Sequence, residues 1–129
     1  MDFAQAVKTC LNKYAAFSGR AQRSEYWYFF LFMVLANIVA SVLDSAIFGD
    51  IPVLYLIATL ALLVPSIAAG VRRLHDTDKS GWWLLLGFIP VVGAIVLIVF
   101  FCQRGTVGPN QFGPDPLQAS IANAHMARA

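Results

Sequence analysis

Tyr26 to Leu43, Ile51 to Val71 and Trp82 to Cys102 are three stretches without a single Asp, Glu, Lys or Arg. Each is roughly 18–21 residues long and, as a helix, spans about 27–31 Å, the thickness of a bilayer's hydrocarbon core. Inside lipid every backbone N–H and C=O must find a partner within the protein, which selects helices. The short alternating segments of a membrane β-barrel are absent. The chain of 129 residues is 59% hydrophobic and 12% charged, against about 25% charged in an average soluble protein. The expected fold is therefore all-α, with three transmembrane helices in one domain over 1–116.

Charge placement sets the expected topology. Lys8, Lys13, Arg20 and Arg23 precede the first span, and Arg72, Arg73 and Lys79 lie between the second and third. Asp44 and Asp50 flank the first loop, which carries no Lys or Arg. Basic residues stay on the cytoplasmic side, so the amino terminus and the loop 72–81 are expected there. Three simple crossings then make the carboxy terminus periplasmic. The first apolar run starts late and has full span length, so no secretory signal is expected. A net charge of +2 gives no argument for nucleic acid. Cys10 and Cys102 would lie a bilayer apart, too far for a disulfide.

Residues 2–17 read as an amphipathic helix, with Phe3, Val7, Cys10, Leu11 and Tyr14 on one face. Such a helix suits the membrane interface or the side of a bundle. Gly19 tolerates the turn that ends it. Ser24 is the expected N-cap of the first span, with Glu25 in its first turn. Tyr26, Trp27, Trp82 and Trp83 are expected interfacial anchors. Asn37, mid-span, seeks a polar partner on another helix. Pro52 falls in a first turn, whereas Pro65 removes a hydrogen bond inside the second span and should kink it. Gly87, Pro90 and Gly93 interrupt the third. The segment 105–116, with three glycines and three prolines, excludes regular structure. Residues 117–129 read as a weakly structured tail.

The densest polar cluster is Arg72-Arg73-Leu74-His75-Asp76-Thr77-Asp78-Lys79-Ser80. It can be purely structural, with Ser80 capping the next helix. It can bind an anionic phospholipid headgroup or a membrane partner through Arg20, Arg23, Arg72, Arg73 and Lys79, beside His75 and Asp76. It can also hold a metal through His75, Asp76 and Asp78, although neighbours on a helix point about 100° apart. No phosphate-binding loop, His-Glu-x-x-His or Gly-x-Ser-x-Gly occurs, so neither enzyme activity nor a cofactor is expected.

Three motifs occur in order: Phe17-Ser18-Gly19-Arg20-Ala21-x-Arg23-x-Glu25-Tyr26-Trp27; Arg72-Arg73-Leu74-His75-Asp76 with Ser80-Gly81-Trp82-Trp83; and Gly108-x-Asn110-x-Phe112-Gly113-x-Asp115-Pro116. Together they resemble the bacterial family known as domain of unknown function 805, small inner-membrane proteins. The resemblance implies membrane location, a compact helical domain, no established activity, and one functional unit formed by the three motifs. Convergence of the third motif with the other two would require the third apolar segment to re-enter at Pro90, with arms of only about ten residues each, too short to span. Plain crossing is the expectation. The leading functional expectation is a non-enzymatic accessory or scaffold protein. The alternative is a subunit of a small oligomeric transporter or channel, which needs a homo-oligomer; a metal-dependent enzyme ranks behind both.

Overall fold

The computed structural model describes residues 2–118. Most of the expected tail, from residue 119 on, lies outside them. The described chain is helical: α1 (Phe3–Asn12), α2 (Arg23–Ile47), α3 (Val53–Asp76), a 3-10 segment (Gly81–Phe88) and α4 (Val92–Cys102).

Helices cover the first two expected spans and extend beyond the apolar runs. At 25 and 24 residues, α2 and α3 measure about 36–38 Å and are long and apolar enough to cross a bilayer. The extra turns carry charge. α2 takes in Arg23 and Glu25, so Ser24 lies within the helix and Gln22 occupies the N-cap without a side-chain bond. At its other end α2 takes in Asp44, which is buried. The Asp44 carboxylate accepts the backbone N–H groups of Leu54 and Tyr55 at 2.8 and 2.9 Å. One helix thus caps the positive end of the next.

Pro65 does not interrupt α3. Lacking an N–H, it leaves the carbonyl four residues back, that of Ala61, without its helical donor. The Tyr14 hydroxyl donates to that carbonyl. Tyr14 lies beyond α1, whose Asp2–Gln5 capping box and Lys13 C-cap confine it to a shorter range than 2–17. The expected apolar face of α1 is divided. Ala6 and Cys10 are buried against the bundle, while Leu11 and Tyr14 are each 41% exposed. Phe3 meets Tyr28 edge-on at 6.0 Å. α1 is thus docked on the spans, and the chain after it runs back along α3 to Gly19, whose carbonyl meets His75.

The third apolar segment departs from expectation. Instead of one span it forms two short pieces folded against each other. Trp83 meets Phe100 edge-on at 5.7 Å, and Lys79 Nζ lies 4.6 Å from the same ring. A Cβ on Gly87 would sit 3.7 Å from Leu97. The pairs 79–100, 83–100 and 87–97 define a hairpin whose tip is Ile89 to Val92. At the tip Val92 N–H donates to the Pro90 carbonyl at 2.7 Å, with Val91 between at φ 65° and ψ −65°. This is a three-residue γ-turn of the rarer, strained form. Gly93 is required beside it, because a Cβ there would collide with the Leu86 carbonyl. An 8-residue 3-10 segment and an 11-residue α-helix each reach about 16 Å, half of a hydrocarbon core. Composition and length made this segment look like a span; the turn at Pro90-Val91 makes it a hairpin.

Candidate functional site

The hairpin returns the chain to the end of α3 from which it left. There the three sequence motifs converge on the last turn of α3. An α-helix ends with carbonyls that have no intrahelical donor. Here the carbonyl of Leu74 accepts from Thr77 and Lys79 N–H, and that of His75 from Asp78 N–H and from Asn110 Nδ2 at 2.9 Å. The Asp76 carbonyl accepts from Thr106 N–H at 2.7 Å and from Arg20 Nη2 at 3.2 Å. The segment after α4 therefore closes the helix end.

Two arginines and one carboxylate hold it there. Asp76 receives Arg20 Nε on one oxygen at 3.0 Å and Arg73 Nη1 on the other at 2.7 Å. Arg73 and Asp76 are three residues apart and share a face of α3. Arg20 spends its remaining donors on backbone carbonyls of the segment 105–116: Gly108 at 2.8 Å, Gly113 at 3.2 Å and Thr106 at 2.6 Å. Arg73 bonds the Phe101 carbonyl at 3.0 Å, and also those of Gln103 and Ala21. Arg73 is 0% and Asp76 1% exposed. Gly105 lies so close to Asp76 that a Cβ would collide with the carboxylate.

The third motif carries its own scaffold. Asn110 and Gly113 exchange backbone bonds, and Asn110 Oδ1 accepts Phe112 N–H at 2.8 Å. Phe112 stacks flat on His75 with ring centres 3.9 Å apart. The Nδ1 of His75 faces the Gly19 carbonyl at 3.0 Å, an acceptor only, so that nitrogen carries the proton. Asp115 accepts from Gly108 N–H, Leu117 N–H and Arg104 at 3.0–3.1 Å. Burial opposes its charge, but the Gly108 N–H, Arg104 and Leu117 N–H outweigh burial and hold its carboxyl below the ordinary value.

A second ion pair lies beside the first. Arg72, 0% exposed, donates through Nη1 to Glu25. Its Nε and Nη2 have no partner within the described protein, nor does the buried Gln22 Oε1. Cys10 packs over this pair, its sulfur 3.9 Å from Glu25 Oε2. Burial, then the Glu25 charge, push the Cys10 thiol up to about 11 despite the opposing Arg72. Thiolate is the reactive form, so Cys10 should resist a maleimide at neutral pH until the protein unfolds, whereas exposed Cys102 should label promptly. Thiol-labelling mass spectrometry distinguishes the two; prompt labelling of Cys10 in the folded protein would contradict this packing. Both cysteines are free, but they do not lie a bilayer apart: Cys10 meets Glu25, and the Cys102 carbonyl meets Arg23.

The basic face expected at Arg20, Arg23, Arg72, Arg73 and Lys79 is thus divided. Arg20, Arg72 and Arg73 are turned inward and ion-paired, with His75 and Asp76 beside them. Arg23 is exposed and Lys79 half-buried. Tyr26 and Trp27, expected as interfacial anchors, contact Phe101 of α4. Trp27 Nε1 bonds the Phe101 carbonyl at 3.2 Å, and Tyr26 packs on the Phe101 ring at 4.5 Å. Trp82 and Trp83 stay exposed, and Ser80 caps the 3-10 segment as expected. The alternative metal set of His75, Asp76 and Asp78 does not converge: both Asp76 oxygens hold arginines and His75 lies against Gly19 and Phe112. Gly105 and Thr106, expected only as part of a turn-rich segment, and Arg104, expected on the far side, all belong to the junction. The motif Asn110 to Asp115 lies at the Arg72–Lys79 end, against the expectation that a third crossing carries it to the opposite side.

Two long apolar helices, an ion-paired cap at one end and a short apolar hairpin are the build of a small membrane protein. The chain belongs to the family described as protein of unknown function (DUF805), whose model matches residues 14–114. It is 45% identical to the inner membrane protein YhaI of Escherichia coli K12 over 106 residues, 82% of this chain and 90% of that one. It is 44% identical to the inner membrane protein YhaH of the same strain over 110 residues, 82% and 91% of the two chains. No solved structure matches. Like these relatives, the chain is an inner membrane protein.

Proposed function

We propose that this protein is a non-enzymatic accessory protein of the inner membrane, with a rigid cytoplasmic cap resting on two spanning helices. One observation carries the proposal. The Arg20–Asp76–Arg73 cluster commits its charges and backbone acceptors to closing the chain on itself, which suits a scaffold and leaves no poised acid, base or nucleophile in that cluster. The hairpin dips into the cytoplasmic leaflet, so segment 103–116 is cytoplasmic together with the amino terminus and loop 77–80. The charge pattern supports this arrangement. Arg104 then joins the other basic residues on one side, and the α2–α3 connection, bounded by Asp44 and Asp50, remains free of Lys and Arg.

Anionic headgroups meet the cap at exposed Arg23 and half-buried Lys79. Arg23 and Lys79 flank the hairpin base, beside Trp82 and Trp83. Each surface cation contributes about 1 kcal/mol toward an anionic membrane. Reversing Arg23 and Lys79 to Glu should therefore lower retention of anionic phospholipid by roughly 30-fold or more. Native mass spectrometry of protein released gently from its own membrane reads this directly. Retention unchanged by the double reversal would sink the headgroup role.

A further inference from the structure

Asn37 lies deep in α2, about 21 Å from the Arg23 end and about 15 Å from the Ile47 end. Among the described residues its side chain makes one hydrogen bond: Oδ1 accepts the Thr59 hydroxyl at 3.4 Å. Among the described residues its Nδ2 donates to nothing, and the Ser41 hydroxyl one turn further on is likewise unbonded. Thr59 faces Asn37 across the α2–α3 seam. Ser41 and Tyr55, one turn along each helix, line the same seam. Val34, Ile38 and Val42 complete a groove of about 360 Å³ that opens outward.

We propose that this groove is the docking site for a second copy of this chain. The inference rests on α2 and α3 being membrane spans, as in the functional proposal. At this depth lipid tails offer no acceptor, so an amide with two free N–H bonds and a spare lone pair needs a protein partner. A carboxamide is both donor and acceptor. Two identical grooves related by a two-fold axis let each Asn37 Nδ2 donate to the other copy's Asn37 Oδ1. The flanking Ile38 and Val42, 54% and 63% exposed, then pack across the axis. No other chemistry is needed: the seam complements itself.

The test uses the full chain in lipid. In a Cys102→Ala background, Ile38→Cys should form a disulfide-linked dimer on mild oxidation in native membranes. Leu85→Cys, equally exposed on the hairpin, should not. In vesicles diluted with lipid, single-molecule energy transfer should report dimers that Asn37→Leu weakens by about 3- to 20-fold, the range of one interhelical side-chain bond in lipid. Leucine is at home against lipid, so this variant keeps its fold. A monomer at every dilution, a dimer indifferent to Asn37→Leu, or Ile38→Cys capturing a different protein would each overturn the proposal. Headgroup retention by the Arg23 and Lys79 variants is read separately, so the two proposals fail independently.

Discussion

Replacing Asp76 with alanine should destabilise the protein by about 3–5 kcal/mol, the cost of leaving a buried charge without its partner. Two guanidinium groups, those of Arg20 and Arg73, lose their common carboxylate at once. Neither can turn to water without opening the cap. Arg20 also holds the carbonyls of Thr106, Gly108 and Gly113, so its displacement should free the segment 105–116. Reversible unfolding in mixed micelles reads the first effect, and protease cleavage within 105–116 the second. A loss below about 1 kcal/mol, typical of an exposed pair, with the segment still protected, would contradict the geometry.

Glu25→Ala should cost a similar amount, about 3–5 kcal/mol, with a different structural consequence. Glu25 is the only partner of the Arg72 guanidinium among the described residues, and the remaining Nε and Nη2 are already unbonded. Glu25 also supports Cys10, and through it the contact of α1 with α2. The variant should therefore loosen α1 and expose Cys10 to alkylation while segment 105–116 stays protected. Glu25→Gln keeps the shape and loses the charge, so it should fall between wild type and alanine. The pair of experiments separates two adjacent ion pairs: one ties down the carboxy-terminal motif, the other the amino-terminal helix. Release of both regions in both variants would show that the pairs act as one unit.

The two spans were legible because lipid imposes a length and excludes charge, and both constraints are written locally in 26–43 and 51–71. The hairpin was not. Residues 82–102 satisfy the same two constraints, and only the γ-turn at Val91 and the crowding at Gly93 divide them. Pro90 and Gly93 marked the place of a break without giving its angle. Charges at a membrane edge ordinarily face water or headgroups, so Arg20, Arg72 and Arg73 read as surface. Two signals pointed inward: the spacing of Arg73 and Asp76, which puts them on one helix face, and Glu25 at the start of the first span. Gly105 gave no signal at all. A glycine in a turn-rich segment needs no special reason, and its contact with Asp76 arises only from the fold. The family resemblance carried what spacing could not, because it implied that the three motifs form one unit. Asp44 shows the same limit at the other end: it looked like a loop residue and instead caps the neighbouring helix.

The central claim is that the third apolar segment turns back, so that the Asn110–Asp115 motif shares a side with the Arg72–Lys79 end of α3. Single cysteines at Gln111 and at Asp50, in the Cys102→Ala background, test it with a thiol reagent that cannot cross the membrane. In intact cells with the outer membrane permeabilised, Asp50→Cys should label and Gln111→Cys should not; in inverted vesicles the pattern should reverse. Labelling of both positions from the same side would contradict the account and restore a third full crossing.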